Sequence, residues 1–139
     1  MSKLESENSE ILAFRLDRLE YFSSDTQLGA QLELLTSPVK SLLQAADDRD
    51  AFLVIDQFEA VSLLSGRHLS RCYDVIVDLV NDAKKTRKIK VVLACRLFDA
   101  ENDDRLLKLF SRKDIKRLDI LPLSDDDVVS AVSEMSLEK

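Results

Sequence analysis

Apolar residues fall into two patterns along this chain. Some form short unbroken runs that stop at a charged residue, and others recur at helical spacing. Ala51-Phe-Leu-Val-Ile55 is wholly apolar and stops at Asp56. Val91-Val-Leu-Ala-Cys95 stops in the same way at Arg96. Such runs predict strands buried on both faces, as in a parallel sheet whose crossover helices cover each side. Ile11 to Leu16 predicts a strand ahead of Asp17. Ile115 to Leu121 predicts another, where Lys116, Arg117 and Asp119 alternate with apolar residues as at an edge position.

Helical spacing fills the intervals. Leu28, Leu32 and Leu35 share a face between Gln27 and Leu35, after a turn cluster at Ser23–Thr26. Ser37-Pro38 is a helix start, since proline is tolerated where its missing N–H has no partner to lose. Val39, Leu42, Leu43 and Ala46 follow on one face. Arg67 to Asp82 carries Leu69, Cys72, Tyr73, Ile76, Leu79 and Val80 as a stripe. Leu106, Leu107, Leu109 and Phe110 mark a further helix. A last one starts at Ser124, where Asp125–Asp127 favour the positive end of its dipole, and its inner face is Val128, Val129, Val132 and Met135. Strands alternating with helices predict one α/β domain over residues 11–139. It has three layers and a mostly parallel sheet of about four strands. Residues 1–10 are polar and acidic and predict a solvated N-terminal arm.

Composition narrows the function classes. The 139 residues are 45% apolar and 33% charged, which suits one folded domain. With 26 acidic against 20 basic side chains the net charge is -6, which argues against a dedicated nucleic-acid domain. The run Lys84, Lys85, Arg87, Lys88 and Lys90 reads as a helix C-terminus and a solvated loop, because no aromatic residue interleaves it. Two glycines and two prolines are too few for a turn-rich all-β fold. Two isolated cysteines make no disulfide framework, which points to a reducing, cytoplasmic setting. No apolar run approaches the roughly 18 residues of a membrane span, and the acidic start is no signal peptide.

Ligands of open parallel sheets bind beyond the carboxyl ends of the strands. Asp17, Asp56 and Arg96 stand there. Asp56 with Glu59, three residues on, has the makings of a phosphoryl-transfer pair. A strand-end carboxylate holds Mg²⁺ through water, and a second carboxylate orients or deprotonates the attacking water. The same spacing also fits an aspartate that caps the next turn and a solvated glutamate. A small Mg²⁺-dependent enzyme would add Asp17 to Asp56 and Glu59. His68, the one histidine, has no metal-ligand or triad companions at recognisable spacing. Asp125–Asp127 lacks the alternation and glycine of a calcium loop and reads as a helix start. Cys95 reads as a small core residue.

Leu53-Val-Ile-Asp-Gln-Phe-Glu59 resembles the Walker B segment of P-loop NTPases, and above all that of the STAND branch of the AAA-like ATPases. Val91 to Arg96 resembles the next strand of that fold. Ile120-Leu-Pro-Leu-Ser124 resembles its last strand and exit. The resemblance implies that Asp56 is the Mg²⁺-associated acid, Glu59 the catalytic base and Arg96 a phosphate sensor or a contact to a neighbouring subunit. Cys95 stands where the family commonly has a hydroxyl or amide. The phosphate cradle Gly-x-x-x-x-Gly-Lys-Ser/Thr is absent, for Gly29 and Gly66 lie far apart and neither precedes Lys-Ser or Lys-Thr. The chain thus resembles the family from its second strand onward. It is expected not to hydrolyse ATP alone, and to bind Mg²⁺ and ATP weakly or not at all. A slot where a central strand should stand implies that the last strand closes up against Val91–Cys95, that a protein partner or a second copy fills it through the open sheet edge, or that the chain is one piece of a longer polypeptide. An interaction module without any nucleotide history is the alternative.

Overall fold

One sheet of three parallel strands organises the molecule, in the order β1 (Ser9–Arg15), β2 (Asp50–Asp56) and β3 (Ile89–Leu93). The computed structural model describes residues 9–65, 68–120 and 126. Helices α1 (Asp25–Gln31) and α2 (Pro38–Ala46) connect β1 to β2, and α3 (Tyr73–Lys85) connects β2 to β3. After β3 come α4 (Leu97–Asn102) and α5 (Asp104–Phe110). The register sets Leu12 beside Leu53 and Leu53 beside Val91, and likewise Phe14, Ile55 and Leu93.

That register decides which face is the core. Ala51, Leu53 and Ile55 of β2 are fully buried with Phe14 of β1 and Ile89 of β3. They share one cluster with Leu28 of α1, Leu42 of α2, Ile76 and Leu79 of α3, and Leu106 of α5. All these helices therefore lie on the same face. Phe52 and Val54 point the other way and are half-buried, and Val92 is 49% exposed. The unbroken apolar run of β2 predicts equal burial on both faces. The described residues instead supply two layers, with a strong alternation along the strand.

The capping chemistry works as written in the sequence. Ser24 Oγ accepts the Gln27 N–H at 3.1 Å, and Ser37 Oγ accepts the Lys40 N–H at 3.4 Å with Pro38 in the first turn. Helix α1 stops at Gln31, short of the expected Leu35. The chain turns at Glu33 in the left-handed region (φ 61°), and the Leu34 N–H returns to the Gly29 carbonyl at 2.9 Å. Gly29 allows this return, because a Cβ there would collide with the Thr36 carbonyl oxygen. The helix expected from Arg67 begins as a tight 3₁₀ segment, His68–Cys72, and becomes α-helical at Tyr73.

The fourth strand expected over Ile115 to Leu121 does not form. Residues 116–120 carry no regular structure, Leu118 is 84% exposed and Ile120 is 92% exposed; Leu121 lies outside the described residues. Charged side chains hold this stretch away from the sheet. Asp114 takes Arg112 at 2.6 Å and also Lys84 of α3, while Arg117 takes Asp119 at 2.8 Å and Glu101 of α4 at 3.2 Å. Among the described residues, β3 therefore ends the sheet with its outer edge unpaired. The expected helix after Ser124 lies outside the described residues except for Asp126, which is helical.

Candidate functional site

β2 delivers Asp56 to the carboxyl end of the central strand, where the chain turns sharply. Gln57 adopts a left-handed backbone (φ 58°), and Asp56 Oδ1 accepts its N–H at 2.7 Å. A non-glycine residue in that region stores strain, and here the aspartate stabilises it locally. The turn continues as the 3₁₀ segment Phe58–Val61. It is anchored by the Phe58 N–H to the Ala94 carbonyl at 2.9 Å and by the Phe58 ring packed edge-on against Phe110, 5.6 Å between centroids.

This anchoring drives Glu59 inward. The side chain is buried, and Oε1 accepts the backbone N–H of Arg96 at 3.0 Å. Oε2 is buried with no hydrogen-bond partner among the described residues. Glu59 thus ties the exit of β2 to the exit of β3. Arg96 keeps an exposed side chain whose Nε donates to Asp99 Oδ2 at 2.9 Å. Asp99 is wholly buried, and its Oδ1 also lacks a partner among the described residues. Cys95, beside these carboxylates, has its thiol pushed up to about 12, by burial first and then by the charges of Glu59 and Asp99. It is a neutral thiol at physiological pH.

Asp56 stands apart from that pair. Its register partner on β1 is Arg15, whose guanidinium grips Asp17 through two bonds of 3.1 and 2.8 Å. The bond to Asp17, with a smaller contribution from the Asp56 charge, raises the Arg15 pKa, and the same bond lowers that of Asp17. The structure therefore brings Glu59 and Arg96 together, and sets Arg15, which holds Asp17, beside Asp56. Asp56 is half-buried at the end of β2. Among the described residues no three His, Cys, Asp or Glu side chains converge as a metal cluster. The backbone of His68 belongs to the 3₁₀ turn before α3.

Comparisons with protein-family models, curated proteins and solved structures found no match.

Sequence reasoning missed the residue that organises this end of the molecule. Asp103 is 2% exposed. Its Oδ1 accepts the Arg105 and Leu106 N–H groups at 2.8 and 3.3 Å, and its Oδ2 accepts Ser62 Oγ and the Leu63 N–H at 3.0 and 2.7 Å. Burial would raise its pKa, but these four hydrogen bonds outweigh burial and hold it below the ordinary carboxylate value. The signal was present: an aspartate just before a helix whose apolar face starts at Leu106 is an N-cap. Arg105 completes the brace, donating to the carbonyls of Ser70 at 3.1 Å and Val61 at 2.7 Å and lying 4.5 Å over the Tyr73 ring.

Proposed function

We propose that this chain is a STAND-like ATPase domain of the AAA-like group that retains the Walker B acid without the phosphate loop. It works as a protein-interaction or regulatory module in the cytoplasm, or as one part of a larger ATPase. The observation that carries the reading is the position of Asp56. It ends the central strand of a parallel sheet, with Glu59 and Arg96 in contact at the end of the neighbouring strand. Without glycine-rich backbone to bind phosphates, magnesium nucleotide loses most of its contacts, so this chain alone holds it weakly. Among the described residues the outer edge of β3 is unpaired, which supports the interaction role, because an open parallel edge accepts a strand from a second chain.

A second reading, an interaction module without nucleotide, draws support from how the two acids are engaged. Asp56 caps the Gln57 turn and Glu59 holds the Arg96 N–H, so both have structural work. Titration of a fluorescent ATP analogue with Mg²⁺ separates the readings. The ATPase-derived reading expects saturable binding with a Kd on the order of 1 mM, lost in Asp56→Ala. Absence of any binding at nucleotide well above that Kd, or binding unchanged in Asp56→Ala, leaves the interaction module.

A further inference from the structure

The opposite end of the sheet holds a second, unrelated cluster. The C-terminus of α3, the turn into β3 and the chain after α5 meet around a cleft of about 550 Å³, lined by Asn81, Lys84, Lys85, Arg87, Arg112 and Asp114. One carboxylate already sits among these cations, and Arg112 Nε donates to its Oδ1 at 3.0 Å. Asp114 Oδ2 takes Arg112 at 2.6 Å and Lys84 Nζ as well, and the two bonds, that of Arg112 first, hold the Asp114 carboxyl well below the usual carboxylate range. Arg112 also donates to Asn81 Oδ1 at 3.1 Å. Against this one carboxylate stand four cations, and the side chains of Lys85 and Arg87 pair with no carboxylate among the described residues. The helix dipole accounts for Lys84 and Lys85 in the last turn of α3, but not for Arg87 or Arg112, which lie outside the helix.

We propose that this cleft binds a phosphate group, with Lys85 and Arg87 as the primary donors and the Lys84–Arg112 pair as the back wall. A surplus of three positive charges suits a phosphate, which carries about two negative charges and three acceptor oxygens, better than a carboxylate. No aromatic side chain lines the cleft for base stacking, which favours a phosphate ester over a single-stranded nucleic acid.

The test is calorimetric titration of the full chain with pyrophosphate at about 50 mM salt, where surface charges are little screened. Saturable single-site binding is expected. Lys85→Gln with Arg87→Gln should weaken it at least about tenfold, and the charge-matched pair Arg18→Gln with Lys40→Gln less than about twofold. Asp114→Asn removes the competing carboxylate and should tighten binding by about threefold, a gain that misfolding cannot produce. No saturation, equal loss in both pairs, or no gain in Asp114→Asn overturns the proposal. Once the pyrophosphate site is established, phosphatidylcholine vesicles with and without a phosphoinositide assign its source. Sedimentation with the phosphoinositide vesicles that is lost in the Lys85/Arg87 pair identifies a lipid headgroup. Its absence identifies a soluble organic phosphate.

Discussion

At the carboxyl ends of the strands Glu59, Asp99 and Asp103 are 9%, 0% and 2% exposed, whereas at the amino end of β3 Lys85, Arg87 and Lys88 stand in solvent. Glu59 and Asp103 bind backbone N–H groups and Asp99 binds the Arg96 guanidinium, and these bonds hold the turns together. The exposed cations hold little of the fold together and keep their donors for other molecules. A charge that the fold has engaged is costly to remove and hard to recruit, while an exposed one is the reverse. Strand-end position drew attention to the acids, yet accessibility favours the cationic end for binding.

The sharpest way to break this contrast is Asp103→Ala. It leaves four donors around Ser62, Leu63, Arg105 and Leu106 without their acceptor, and should lower unfolding stability by about 3 kcal/mol in a urea titration. A loss below about 1 kcal/mol would show that the brace is redundant. The same group ties stability to pH. Its folded pKa lies below the ordinary 3.8, so its contribution is complete above that value and is lost as pH falls through the folded pKa. Stability measured from neutral pH downward should drop below about pH 4, less steeply in Asp103→Asn.

Glu59→Gln is the next test. The amide oxygen can still accept the Arg96 N–H, but the amide NH₂ takes the buried position of the partnerless Oε2 and brings two donors there, so stability should fall by about 1 kcal/mol, less than in Glu59→Ala. A fall as large as that of Glu59→Ala would mean that the charge itself is paired. The smallest effect belongs to the other end. Lys85→Gln with Arg87→Gln should change stability by no more than about 0.5 kcal/mol, even though phosphate binding falls.

Much of the fold was legible because its signals are local. The apolar run before Asp56 marks β2 and Ser37-Pro38 marks the start of α2, whereas the run Val91–Cys95 overlaps β3 only in part, since that strand begins at Ile89 and ends at Leu93. The alternation in Ile115 to Leu121 satisfies the same local rule, yet a strand also needs a neighbour with open backbone groups. Here Asp114 and Arg117 secure the chain to α3 and α4 instead. Long-range ion pairs of this kind leave no periodic trace in a sequence. The site divides in the same way. Asp56 was readable as the end of β2 and Arg96 as lying just past β3, but the inward turn of Glu59 goes with Phe58 packing on Phe110, 52 residues further along. The cleft at the other end joins residues near 84 and 112, and each segment read alone looks like a solvated loop.

The all-parallel register also sets a timetable. Ser9 pairs across to Asp50, and Ala51 to Ile89, each about 40 residues further along. At about 5–20 residues per second of synthesis, each strand waits roughly 2–8 s before its neighbour has been made. No hairpin can shelter β1 in that interval. During synthesis its exposed backbone depends on α1 and α2 folding first, and a slow ribosome lengthens the period in which a stray strand can pair with it.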